Sequence, residues 1–279
     1  MIKTCIYIFK IILKYFFFGQ IIEKSNFKKL SNTLCIIGNG PSLNKDLRVI
    51  TNYIDKWDII VVNNFSNYKE YSLLRPKQYV LTDSTFWDQN LDYKILSKTK
   101  KTISNIINLT SWSLNLYVPL KQKSYFVKVF SKNKNIKICG LRLGGMIIQN
   151  KFLMKLIIKK RLSFLPNKNI VHMAIQIGFF YKYKKIHLFG IDSDVFKSFF
   201  VDQKTNRVYT NYDYYNVNHT EKGLIAPKKF KKLSERLDQV SDSFKIYDIL
   251  AKQASFENIQ LFNCSSFSMV DTLERKKFN

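Results

Sequence analysis

Five short apolar runs constrain what this chain can fold into: TLCIIG from Thr33, WDIIVVNNF from Trp57, QYVLTD from Gln78, NIKICG from Asn135 and KKIHLFGID from Lys184. Each has the length of a strand. Helical stretches such as GGMIIQNKFLMKLIIKK and NIVHMAIQIGFFYKY lie between them. A parallel strand can be reached only through a crossover, so strands alternating with helices imply a mainly parallel α/β sheet with helices on both faces. We therefore expect a Rossmann-like domain over residues 31–279, with a lid-like loop over 195–228.

The strand ends share a chemistry. The first run stops at Gly38-Asn39-Gly40-Pro41-Ser42, the second at Asn63-Asn64, the third at Thr82-Asp83-Ser84-Thr85, and the last at Gly190-Ile191-Asp192. In open α/β sheets ligands bind beyond the carboxyl ends of the strands. A turn with two glycines lets backbone N–H groups, and here the Asn39 and Ser42 side chains, approach a phosphate or a ribose. No Gly-Lys-Ser/Thr follows, so this is not a P-loop. Leu43 takes the place of the third glycine of a dinucleotide fingerprint. A tight turn capping a helix at Ser42 or Asn44 would read the same way.

The chain carries 46 Lys and Arg against 20 Asp and Glu, a net charge of +26. Between Asp92 and Asp192 there is no carboxylate at all. Such a chain seeks anions: nucleic acid, an anionic membrane, or a phosphorylated substrate. No helix-turn-helix, RNA-recognition or zinc-finger signature is present, and we expect no nucleic-acid partner. Cys5, Cys35, Cys139 and Cys264 form no CxxC, and His172, His187 and His219 form no close pair, which argues against zinc. Cys35 and Cys139 read as reduced core residues of a cytoplasmic protein.

The first 30 residues have their own pattern. Lys3, Lys10 and Lys14 share one helical face beside Tyr7, while Ile6, Ile8, Phe9, Ile12, Leu13 and Phe16 cover much of the rest. That suits an amphipathic helix in the interface of the inner membrane leaflet, or one packed on the protein itself.

The motifs IIGNGPSL, WDIIVVNNF and KYKKIHLFGID, in that order, resemble the bacterial sialyltransferases of the Campylobacter type, glycosyltransferase family 42. They also resemble a broader group that includes flagellin-glycosylation accessory factors and pterin diphosphokinase-like proteins. The resemblance runs from about Leu34 to Phe267, where IQLFNCSSFS is similar to the family's last strand and turn. It implies a GT-A-like version of the expected fold and inverting transfer of a sialic or related nonulosonic acid from a CMP-sugar donor to a surface-glycan or lipid-linked glycan acceptor. No cofactor is implied.

On the matching residues, the resemblance implies that Asn39, Gly40, Ser42 and Asn63 meet the nucleotide, and that Asp192 sits at its ribose or base. His219 in YNVNHTEKG would be the general base. The family's two tyrosines that support the leaving phosphate have no counterpart at the matched position; the cluster Tyr209, Tyr212, Tyr214 and Tyr215 offers candidates, and we take Tyr214 and Tyr215. The chain departs from the family in two places. Asp194 stands where the family has a tyrosine, and KNIV around Asn169 replaces a Thr-Ser-Gly before a helix.

Other chemistries fit parts of the pattern. Asp192-Ser193-Asp194 is an Asp-x-Asp at a strand end, the arrangement that holds a divalent metal in many nucleotide-sugar enzymes. A pterin-type diphosphokinase would use ATP and magnesium there. His172 and His187 lie within helix and strand patterns and read as structural. Leu233, Leu237, Val240, Phe244, Tyr247 and Leu250 recur at helical spacing and read as core.

Overall fold

The computed structural model describes residues 27–90, 93–143, 168–211 and 232–278, together with Ile6, Phe9, Ile22 and the strand residues 224–225. Most of the expected N-terminal helix and the GGMIIQNKFLMKLIIKK stretch lie outside the described residues.

Strand β1 (Thr33–Ile37) is buried on both faces from Leu34 onward, which is why it reads as a continuous apolar run. Helix α1 (Leu43–Thr51) leads to β2 (Asp58–Val62), the four-residue α2 (Tyr71–Leu74) to β3 (Gln78–Val80), α3 (Tyr93–Leu109) to β4 (Leu114–Pro119), and α4 (Lys123–Val129) to β5 (Ile136–Leu141). Helix α5 (Ile170–Phe180) then precedes β6 (Lys185–Phe189). Helix α6 (Leu233–Phe256) precedes β10 (Gln260–Asn263) and β11 (Glu274–Arg275). The order across the sheet is β11-β10-β6-β1-β2-β3-β4-β5, with every pair parallel. The expected α/β, Rossmann-like architecture is the one observed.

The order has a functional consequence. From β1 to β5 each strand is added outward on one side, and β6 then returns to the other side of β1, where Cys35 lies between Ile59 and His187. The strand order therefore reverses between β1 and β6, the place where open α/β sheets bind ligands.

Alternate residues of β1 face two cores. Cys35 and Ile37 pack with Leu47, Phe65, Ile106 and Phe126 under α1, α3 and α4. Leu34 and Ile36 pack with Val171, Ile175, Tyr247 and Leu250 under α5 and α6. Cys35, Cys139 and Cys264 are buried.

Three differences from the sequence reading have physical reasons. Strand β4 was not expected, because Asn115 interrupts its apolar run; the side chain is buried all the same. The lid-like stretch contains strands β7 (Phe199–Asp202), β8 (Arg207–Asn211) and β9 (Leu224–Ile225), which form a small antiparallel sheet. Val208 to Asn211 carries no strand signal in the sequence because its Thr and Asn residues give no alternation of strong hydrophobes. Finally, Leu233 and Leu237 are exposed, and only the later half of α6, including Tyr247 and Leu250, is core. A helix of 24 residues is about 36 Å long, whereas a five-residue strand spans about 17 Å, so the helix outruns the sheet it covers.

Candidate functional site

The turn after β1 is stitched to the turn after β6. Gly38 N–H donates to Phe189 O at 2.8 Å and Gly40 N–H to Gly190 O at 2.9 Å, carrying the pairing of the two strands past their ends. A Cβ on Gly40 would run into the Asp192 carboxylate, and Gly190 has φ +64°, so both positions need glycine. Ser42 opens α1 without capping it through its side chain. Instead its N–H donates to Asp192 Oδ2 at 2.9 Å and its hydroxyl to Asp192 Oδ1 at 2.5 Å.

Asp46, one turn further along α1, completes this framework. Its Oδ1 accepts from Ser266 N–H at 3.0 Å, and its Oδ2 accepts from Gly190 N–H at 3.3 Å. The turn after β10 joins in. Ile191 N–H donates to Ser265 Oγ at 2.9 Å, Ser268 Oγ to Ile191 O at 2.5 Å, and Met269 N–H to Asp192 O at 2.8 Å. Burial pushes the Asp192 carboxyl up, held back by the Ser42 hydrogen bonds and raised further by the nearby charges of Asp194 and Asp46. Burial also pushes Asp46 up, against hydrogen bonds from Ser266, Gly190 and Ser42.

Thus of the groups expected to meet a ligand, Ser42 and Asp192 hold each other, and the N–H groups of Gly38, Gly40 and Ser42 are engaged within the protein. The positive end of α1 already faces the Asp192 carboxylate.

The neighbouring amides differ. Asn39 Nδ2 donates to Val62 O at 2.8 Å, tying the ends of β1 and β2, while its Oδ1 is buried with no hydrogen-bond partner among the described residues. Asn63 has φ +48°, a left-handed conformation that asparagine tolerates better than most residues. Tyr79 from β3 fixes that turn by donating to Asn63 O at 2.5 Å and accepting from Ser66 N–H at 3.0 Å. Asn63 Oδ1 is likewise buried without a partner. Two amide oxygens thus stand at adjacent strand ends, each lacking a donor among the described residues. Burying an acceptor this way is costly unless a ligand or water supplies an O–H or N–H.

Helix α5 leads into β6 and therefore runs against the strands, which brings its N-terminus to the same edge of the sheet. Asn169 caps it by accepting from Val171 N–H at 2.9 Å, and Lys168 beside it pairs with Asp242 of α6 at 3.4 Å. Of Asp192-Ser193-Asp194, Asp192 is bonded to Ser42, Ser193 takes φ +54°, and the Asp194 carboxylate lies 4.0 Å from Lys197. Among the described residues no three His, Cys, Asp or Glu side chains form a group that could hold a metal ion. His219, Tyr214 and Tyr215 lie outside the described residues.

Both described histidines are interior. His172 is fully buried with its ring 4.4 Å from that of Tyr247, and burial pulls its pKa down to about 3. His187 lies among Trp57, Phe262 and Phe278, with its pKa pulled to about 4 by burial and then by Lys276 and Lys185. The residue that the sequence reading missed is Asp46. Its four-residue spacing from Ser42, one helical turn, was the available signal. A separate cleft of about 400 Å³ lies between α3 and α4, lined by Phe86, Ile103, Tyr125, Lys100 and Lys132 among others; it shares no residue with the turns after β1 and β6.

No protein-family model matches the chain. No curated protein matches it at a significant level. Among solved structures it is similar to the MAf glycosyltransferase from Magnetospirillum magneticum AMB-1, with 11% identity and a TM-score of 0.49 over 92% of this chain. The chain spans 35% of that protein's length.

Proposed function

We propose that this protein is a glycosyltransferase that moves a sialic acid or related nonulosonic acid from a CMP-sugar donor to a surface-glycan acceptor, with inversion. The observation that carries this reading is the pair of partnerless amide oxygens of Asn39 and Asn63 beside the β1/β6 switch point. They are acceptors, and a nucleoside offers matching donors in its ribose hydroxyls and, for cytidine, an exocyclic amino group. The Ser42–Asp192–Asp46 framework holds the two turns rigid around them, so the nucleotide meets a preorganised edge. Because the α1 N-terminus faces Asp192, the donor phosphate belongs at the α5 N-terminus, beside Lys168.

The chemical step is a single displacement. The acceptor hydroxyl oxygen attacks the anomeric carbon, the bond from that carbon to the phosphate oxygen breaks, and CMP leaves with the electron pair. His219 takes the hydroxyl proton, and Tyr214 and Tyr215 stabilise the charge growing on the phosphate. The histidine role rests on the family resemblance, the tyrosine role on the tyrosine-rich stretch around it.

The test is ligand-dependent thermal stability of the purified protein with CMP, UDP, ATP plus magnesium, and RNA. A nucleotide at ~100-fold excess over its dissociation constant adds about 2.7 kcal/mol of stability. CMP should stabilise most. Stabilisation by ATP with magnesium alone would instead indicate a diphosphokinase, and stabilisation by RNA alone a nucleic-acid binder.

A further inference from the structure

We propose that the face built by α3, α4 and the turn leading into β5 lies against an anionic lipid surface. Strands β3, β4 and β5 are added in one direction, so right-handed crossovers place α3 and α4 side by side on one side of the sheet. No Asp or Glu occurs anywhere from residue 93 to 143. Lys100, Lys101, Lys121, Lys128, Lys132 and Lys134 are all exposed there, and none forms an ion pair with a described residue. Charge along a protein chain is usually mixed in sign; the segment from 93 to 143 that builds this face carries one sign only, with Asp83 and Asp88 of the preceding turn at its margin.

Two further observations select lipid among the possible anions. Apolar side chains stand exposed among these lysines: Tyr93 at 81%, Leu109 at 43% and Val127 at 48%. The N-terminal segment also reaches the β5 edge of the sheet, next to this face, with Ile22 packing into the core under α5 and α6. Ile22 is fully buried and forms a β-bridge with Leu141 at the end of the edge strand β5. Further toward the N-terminus, Ile6 and Phe9 are helical and exposed at 49% and 62%, in a stretch that also carries Lys3, Lys10 and Lys14. Lysines mixed with exposed apolar groups match a bilayer interface, which offers head-group charge and acyl chains together. A nucleic-acid backbone offers only the charge.

The experiment is co-sedimentation of the full chain with phosphatidylcholine vesicles, with and without about 30% phosphatidylglycerol, at low and high salt. The protein should bind only the anionic vesicles and lose binding as salt rises. Changing Lys121, Lys128, Lys132 and Lys134 together to Glu should lower partition by roughly tenfold or more. Changing Lys184, Lys185, Lys252 and Lys277 to Glu alters net charge equally but lies off this face, and should change partition by less than about twofold. Circular dichroism checks that both fold, and Lys100→Glu with Lys101→Glu gives the same reading if the first variant does not. Equal losses from both sets, failure to bind anionic vesicles, or full release from them by an RNA oligonucleotide at equal phosphate would overturn the proposal.

Discussion

Ser42 and Asp192, 150 residues apart in the chain, are joined by two hydrogen bonds, from the Ser42 backbone N–H and from its hydroxyl. Both residues are buried, so each bond is protected from water and each partner depends on the other. The link ties the turn after the first strand to the turn after the sixth, across the place where the sheet reverses its order.

Asp192→Ala should therefore act first on stability. It leaves the Ser42 N–H buried without an acceptor and its hydroxyl with only the longer 3.4 Å contact to Asp46 Oδ2, and two charge-assisted hydrogen bonds are worth about 3 kcal/mol together. Urea denaturation should show a loss of that order. A loss below about 0.5 kcal/mol, the size expected of a neutral surface substitution, would mean that the pair is not a structural tie.

Gly40→Ala tests the same contact from the other side. The added Cβ would meet the Asp192 carboxylate and the Gly190 carbonyl, one of them backbone that cannot swing away. The variant should lose about 2 kcal/mol or more through overpacking. Thermal unfolding of the two proteins side by side measures it.

Asn63 allows conformation and recognition to be separated. Asn63→Gly keeps the φ of +48° at no steric cost, so the fold should be preserved, whereas Asn63→Val should be strained by about 1–2 kcal/mol. Under the proposed function, the glycine variant lacks the amide oxygen and should bind CMP about tenfold more weakly, the equivalent of one hydrogen bond. Calorimetric titration with CMP tests this; unchanged affinity in a folded Asn63→Gly protein would remove the residue from the site.

Stability should fall as pH drops below neutrality. His172 and His187 stay neutral in the fold, with pKa values pulled to about 3 and about 4 by burial, while the unfolded chain protonates near 6.5. The stability they contribute is whole above about 6.5 and is lost as pH falls toward 4, at up to ~2.7 kcal/mol per pH unit for the two together. Asp46 and Asp192 work in the opposite sense. Their raised carboxyls contribute stability that is complete below 3.8 and lost as pH rises, so they soften the slope only at its acid end. His187→Phe, which suits the surrounding Trp57, Phe262 and Phe278 rings, should roughly halve the slope between pH 6 and 5 in denaturation measured across pH.

His219→Ala should reduce transfer by ~100- to 10,000-fold while CMP binding survives, since a general base acts only as the new bond forms. Release of CMP from a CMP-sugar, compared with CMP affinity, separates the two effects. Near-normal turnover in this variant would remove His219 from the mechanism.

The amino-acid sequence by itself determined the strands and their ends. The runs at Thr33, Trp57, Gln78, Asn135 and Lys184 each appear as a strand because an apolar run of that length, bounded by small or polar residues, has one low-cost way to bury its backbone. It also determined that Asn39, Ser42, Asn63 and Asp192 would lie at one edge of the sheet, since parallel strands bring all their carboxyl ends together. Only the tertiary structure decided which of those groups face one another. Whether Ser42 caps its own helix or reaches a carboxylate 150 residues away depends on the order of the strands, which a local pattern does not encode. The same holds for Asp46, which looks like an ordinary first-turn acid until the turns after β6 and β10 fold onto it, and for Leu233 and Leu237, whose helical spacing promised burial that the short sheet could not supply.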